Sequence, residues 1–194
     1  LVNERQETVS LQWLVTATYM FREGMRSNPA YVPKTCFVDY DVFRNAINIG
    51  GPADYPGLGR IDGLEIATTP NDFQFSIAAY FTVVQKSLNQ ESYDYWQDVR
   101  ASNQRSGNIY DVFPGRIRSN IRNIGQLDEE INGFFHVSAV DTVRVKVLPE
   151  MIGRPVQRCA LWMEPEIITA DDPDPCLNCL VLFNSRLEQP HYWE

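Results

Sequence analysis

Between Gln6 and Phe21 the chain alternates with a period of two. Val9, Leu11, Trp13, Val15, Ala17 and Tyr19 fall on one parity, and Ser10, Gln12, Leu14, Thr16, Thr18 and Met20 on the other. Successive side chains of a strand point to opposite faces, so this alternation predicts one long strand with a buried face. Phe73–Lys86 repeats the pattern, with Phe73, Phe75, Ile77, Ala79, Phe81 and Val83 on one face. Phe134–Leu148 repeats it again through Phe135, Val137, Ala139, Val143, Val145 and Val147. Asp141 interrupts that third face and predicts a bulge or a break into two strands.

Shorter strand-like runs cover Lys34–Tyr40, Arg44–Ile49, Leu64–Thr68, Arg116–Ile124 and Val156–Met163. Arg22–Pro33 and the Gly/Pro-rich Gly50–Gly63 read as loops. One helix is predicted, over about Gln90–Asn103. Asn89 or Ser87 can cap it, because a short polar side chain can accept from the free amides of the first turn. Tyr93, Trp96, Val99 and Arg100 fall at helical spacing, as expected of a helix laid on a sheet. About eight strands and one helix predict a mainly-β, β-sandwich-like antiparallel domain with one packed helix, with α+β as the alternative.

With 194 residues the chain is expected to form a single mainly-β domain over 1–194, with 165–194 as a disulfide-pinned C-terminal tail. Nine Tyr, ten Phe and four Trp supply apolar surface that a disordered chain lacks. The net charge of −8 repels phosphate backbones and argues against nucleic acid as a partner. No apolar run approaches the length of a membrane span. The sequence opens at Leu1 and runs directly into polar residues and a strand, so a targeting segment is expected upstream.

The four cysteines are Cys36, Cys159, Cys176 and Cys179. Four cysteines admit three pairings. The simplest joins Cys36 to Cys159 as a long-range staple and Cys176 to Cys179 as a local clip. Three alternatives stay open. A zinc site usually shows two close pairs, and here there is one. A redox Cys-x-x-Cys favours a depressed thiol pKa, which the acidic flank Asp171-Asp172-Pro173-Asp174 opposes. Free buried thiols would suit a reducing compartment, whereas disulfides require an oxidising one.

No catalytic constellation emerges. His136 and His191 lack a neighbouring nucleophile motif, and no nucleophile elbow, zinc-protease helix or phosphate-binding loop is present. Asp171, Asp172 and Asp174 form a weak candidate for calcium, which takes several oxygens from such loops, although the helix–loop–helix calcium spacing is absent. Otherwise no cofactor is expected. Tyr31, Tyr40, Tyr55, Tyr110, Tyr192 and Trp193 are candidate exposed aromatics. Tyr93, Tyr95 and Trp96, with the Gly50–Gly63 loop, are candidates to line a ligand cleft.

Several stretches taken together resemble one family. They are Ser87-Leu88-Asn89-Gln90-Glu91-Ser92-Tyr93-Asp94-Tyr95-Trp96, Gly107–Pro114, Ser119-Asn120-Ile121 and Gly133–Ala139. The Cys176-Leu177-Asn178-Cys179 pair and the ending Pro190-His191-Tyr192-Trp193 complete the set. In order and spacing, over roughly residues 35–194, they resemble a Bacteroidota lipoprotein family known as domain of unknown function 4249. The resemblance implies an outer-membrane or cell-surface protein, with a lipid anchor and an N-terminal Ig-like or transthyretin-like β-domain upstream, often encoded beside a TonB-dependent transporter. It carries over no catalytic residue. The expected function is a non-catalytic accessory or interaction subunit of an outer-membrane assembly, such as a β-barrel transporter. The alternatives are a small-ligand domain for glycan or peptide, and a hydrolase of a type its motifs do not reveal.

Overall fold

A computed structural model describes residues 9–24, 30, 32–42, 47–55, 62–104, 117, 119–126, 129, 131–153, 158–159 and 174–193. The predicted long strand is present as β1 (Ser10–Arg22). It is followed by β2 (Thr35–Asp41), β3 (Asn48–Gly50), β4 (Ala79–Leu88), helix α1 (Gln90–Asn103), β5 (Val140–Val147) and β6 (Ser185–Arg186). Among the described residues the six strands form one mainly antiparallel sheet in the order β5-β4-β1-β2-β6, with β3 also paired to β1. A mainly-β fold with one helix is therefore what the alternating runs build.

The chain divides into two compact units. The first comprises Leu1–Leu14, Phe43–Ile66 and Val83–Thr142. Here Leu11–Trp13 of β1 pair with Asn48–Gly50 of β3. Ile49, Leu88 and Tyr93 are buried together, with Ile47 and Trp96 packed against them. The helix starts where the sequence places it, because the Asn89 side chain accepts from the Ser92 amide at 2.8 Å. Glu91 in its first turn and Arg100 in its last complement the helix dipole.

The second unit comprises Val15–Val42, Ala67–Thr82 and Val143–Glu194. Thr16–Arg22 of β1 pair with Thr35–Asp41 of β2, and Phe37 and Val38 of β2 pair with β6. The register sets Tyr19 opposite Val38 and Phe21 opposite Cys36, and those four side chains bury with Phe75 and Ala79. Met20 lies opposite Phe37, and Phe37 packs on the other face with Ala78, Tyr80 and Trp193. Both faces of the paired strands are covered, which explains why β1 buries Thr18 as well as its apolar parity.

Five expectations change. The strand predicted from Phe73 begins only at Ala79. Asp72 accepts from the Gln74 amide at 2.9 Å and turns Phe73–Phe75 into a short 3-10 helix. Leu64–Thr68 is not a strand. Asn48 binds the Ile66 carbonyl through its side chain instead, at 3.1 Å. Described residues between Arg116 and Ile124 form no strand either. The run Phe134–Leu148 is strand only from Val140 to Val147, and β5 passes through Asp141 without a break. Of the described part of Arg44–Ile49, Asn48 and Ile49 are strand, in β3, and Ile47 is not; residues 44–46 and most of Val156–Met163 lie outside the described residues.

The cysteine pairing also differs. The bonds are Cys36–Cys179 and Cys159–Cys176, with Cα–Cα distances of 5.9 and 5.3 Å. Asp174 closes a turn by accepting the Leu177 and Asn178 amides at 3.0 and 3.1 Å. That turn delivers Cys179 to β2 and Cys176 to Cys159, so the two neighbouring cysteines take separate partners.

Candidate functional site

In the first unit the Gly50–Gly63 segment meets the helix through Tyr93. The Tyr93 hydroxyl donates to Asp54 Oδ2 at 2.5 Å, and Gln97 donates to the same hydroxyl at 2.7 Å. Asp54 Oδ2 also accepts the Gly51 amide at 2.8 Å. Burial, then the Asp54 hydrogen bond and charge, push the Tyr93 hydroxyl up to about 12. The approach is close enough that a Cβ on Gly51 would lie 2.7 Å from Tyr93 Cζ. Beside this network lies a small cleft of about 100 Å³ whose lining includes Trp13, Asn48, Tyr55, Glu65 and Arg100. Arg100 donates to the Ile49 carbonyl at 3.2 Å, and Trp13 Nε1 to Gln85 at 2.9 Å.

The proposed ligand-cleft aromatics are engaged in packing. Tyr93 is buried, Trp96 packs on the Ile49 cluster, and the Tyr95 ring stacks on Phe134 with centroids 5.0 Å apart. Asn120 clasps the backbone of Phe135: its amide donates to the Phe135 carbonyl at 2.7 Å and its oxygen accepts the Phe135 amide at 2.8 Å. That clasp ties together two described segments that are not strand. Ser87 does the same for Ala139, accepting its amide at 3.0 Å through the hydroxyl.

In the second unit the C-terminal aromatics also pack. Trp193 is buried against Phe37 and Tyr80, with centroids 4.9 Å apart in each case. The Tyr192 hydroxyl shares a 2.8 Å hydrogen bond with Thr18, which itself donates to Asp39 at 2.5 Å. Arg186 pairs with Asp39, and that hydrogen bond raises the Arg186 pKa. Burial raises the pKa of Tyr40 and pushes Tyr19 up to about 12, the nearby Arg158 opposing the latter. Asp174 uses its side chain to accept the Cys176 amide at 2.9 Å. Asp171, Asp172, Tyr31 and Tyr110 lie outside the described residues. Among the described residues no three acidic, histidine or cysteine side chains are grouped to hold a metal ion.

The side chains left exposed are elsewhere. Phe135 is 71% and Val137 86% exposed, on the segment that leads into β5. Val143 and Val145 of β5 are 55% and 51% exposed. Periodicity identified this row but not its exposure. Exposure follows from β5 standing at the end of the described sheet.

Fold and site together define a mainly-β, doubly disulfide-bonded protein with exposed valines on the end strand of the described sheet. A family profile described as Domain of unknown function (DUF4249) matches residues 21–144, and the chain belongs to that family. The match holds the helix, its Asn89 cap and the Asn120 clasp, and it ends before Cys159, Cys176, Cys179 and the terminal aromatics. Comparison with curated proteins and with solved structures found no match in either. Disulfides persist in oxidising compartments, so the two bonds fit a non-cytoplasmic domain. Among the described residues no helix is long and apolar enough to cross a membrane.

Proposed function

We propose that this chain is a non-catalytic interaction subunit of the bacterial cell envelope, of the Bacteroidota surface-lipoprotein type. It docks on an outer-membrane assembly such as a TonB-dependent transporter. The observation that carries the reading is the exposure of Val143 and Val145 on β5, the end strand of the sheet among the described residues. Neighbouring β-branched side chains left in water favour association with another surface. The disulfides support export, and the family resemblance supports the envelope.

The test is a mild-detergent capture of the native protein from envelopes, with mass spectrometry of what co-purifies. A stoichiometric outer-membrane protein is the expected result. Recovery of the chain alone would remove the reading. The cleft of about 100 Å³ favours a second reading, a binder of a glycan or peptide group. It is smaller than the roughly 300 Å³ at which small-molecule pockets begin, so it holds one side chain or part of one sugar. Titration with glycan and peptide arrays separates the two readings.

A further inference from the structure

Glu23, Lys34 and Asn178 meet where β1 ends and β2 begins. The register sets Arg22 opposite Thr35, so Glu23 and Lys34 are the next residues beyond that pair. The Glu23 amide donates to the Lys34 carbonyl at 3.1 Å, and the Lys34 amide donates to Glu23 Oε2 at 2.9 Å. The same carboxylate holds the C-terminal turn, because Oε1 accepts the Cys179 amide at 2.9 Å. The Cys36–Cys179 bond ties that turn to β2 covalently. Asn178 is thereby delivered to Lys34, whose ammonium donates to Asn178 Oδ1 at 3.4 Å and lies 3.7 Å from Glu23 Oε1. The Glu23 side chain has no exposed surface, while that of Lys34 is 43% exposed.

An amine, a carboxamide and a carboxylate are thus held together by two strands and a disulfide. Fixing a nucleophile beside the carbonyl it attacks removes most of the entropic barrier to their reaction. The Leu180 amide donates to Asn178 Oδ1 at 3.3 Å. A backbone donor at that oxygen polarises the carbonyl and meets the negative charge that develops there during attack. A carboxylate oxygen accepts more than one donor, so Oε1 can serve the Cys179 amide and the ammonium together.

We propose that Lys34 and Asn178 join in an intramolecular isopeptide bond, with Glu23 carrying the proton. Glu23 takes a proton from the Lys34 ammonium. The freed amine lone pair attacks Asn178 Cγ, and the new C–N bond forms as the carbonyl electron pair moves onto Oδ1. Glu23 passes its proton to Asn178 Nδ2 and takes one from the attacking nitrogen. The Cγ–Nδ2 bond breaks as the carbonyl re-forms, and ammonia leaves by the solvent-exposed side of Lys34, taking up the Glu23 proton. One ammonium side chain and one carboxamide become one secondary amide and one ammonium ion, with no oxidant or added reactant. The bond joins the same two segments as Cys36–Cys179, so the junction stays covalent when the disulfides are reduced.

The test is mass spectrometry of the full 194-residue chain, folded under oxidising conditions and then reduced and alkylated at its four cysteines. The intact chain is expected to be lighter than its sequence by one ammonia molecule. Tryptic digestion is expected to yield a branched peptide linking Lys34 to Asn178, with no cleavage after Lys34. Lys34→Ala and Asn178→Ala are each expected to keep the full mass. Glu23→Gln is expected to form the bond at least about a hundredfold more slowly, with its Cys36–Cys179 bond mapped to show that the turn is in place. A parent chain of full mass would overturn the inference, whatever the variants do. So would an ammonia loss that maps to other residues, a loss that persists in either alanine variant, or an unslowed Glu23→Gln chain.

Discussion

Glu23, the residue after β1, has a side chain with no exposed surface and a carboxylate that is fully engaged. Oε1 accepts the Cys179 amide and Oε2 the Lys34 amide, each at 2.9 Å, and the Lys34 ammonium lies 3.7 Å away. The neighbouring Gly24 amide reaches the Cys176 carbonyl at 3.0 Å. One carboxylate thus fastens the turn that presents both C-terminal cysteines. Glu23→Ala strands two backbone donors and is expected to cost about 3 kcal/mol in denaturant unfolding. Disulfide mapping after oxidative refolding should show mispaired species in this variant and none in the parent. Tyr93 makes a different prediction. Its folded pKa of about 12 stands above the unfolded value of 10.0, so its contribution is complete below pH 10 and is lost as pH rises through 12. Tyr93→Phe should flatten the fall in stability over that window, and should cost about 1 kcal/mol at neutral pH through the lost Asp54 hydrogen bond.

At the scale of elements, what is local was legible and what depends on neighbours was not. Helix α1 and its Asn89 cap followed from a short polar side chain placed before an apolar stripe, and β1 from its alternation. Asn89→Ala should cost about 1 kcal/mol in thermal or denaturant unfolding. Gly51→Ala brings a methyl group to 2.7 Å from Tyr93 Cζ and should cost about 2 kcal/mol through overpacking. Periodicity correctly put Val143, Val145 and Val147 on one face. It could not say that only Val147 reaches the core, because coverage depends on where β5 falls in the sheet. Phe73 and Phe75 share the parity of a strand, but Asp72 bonds locally and wins those residues for a turn. Tyr93, Tyr95 and Trp96 were correctly grouped on one helix, and only the Asp54 and Phe134 contacts reveal that they serve packing. Asn120 offered no periodic signal, since it acts through its side chain on a backbone 15 residues away.

For the whole molecule the disulfides dominate the stability argument. Their identity as paired cysteines was visible in composition and flank, while their connectivity required the folded turn at Asp174. Separations of 143 and 17 residues imply about 5 and about 3 kcal/mol in the chain-entropy account. Reduction should therefore lower the urea midpoint sharply, and reducing the long-range bond alone should account for the larger part.

The proposed interaction function rests, at this scale, on the exposed Val143 and Val145 of β5 in an acidic, disulfide-bonded protein. The measurement that addresses it most directly is photo-crosslinking in intact envelopes from a photoreactive residue placed at Val145, with the highly exposed Ile124 as the control position. One saturable adduct with a single envelope protein from Val145, and none from Ile124, is the predicted result. No adduct from Val145, or the same adducts from both positions, would contradict the account.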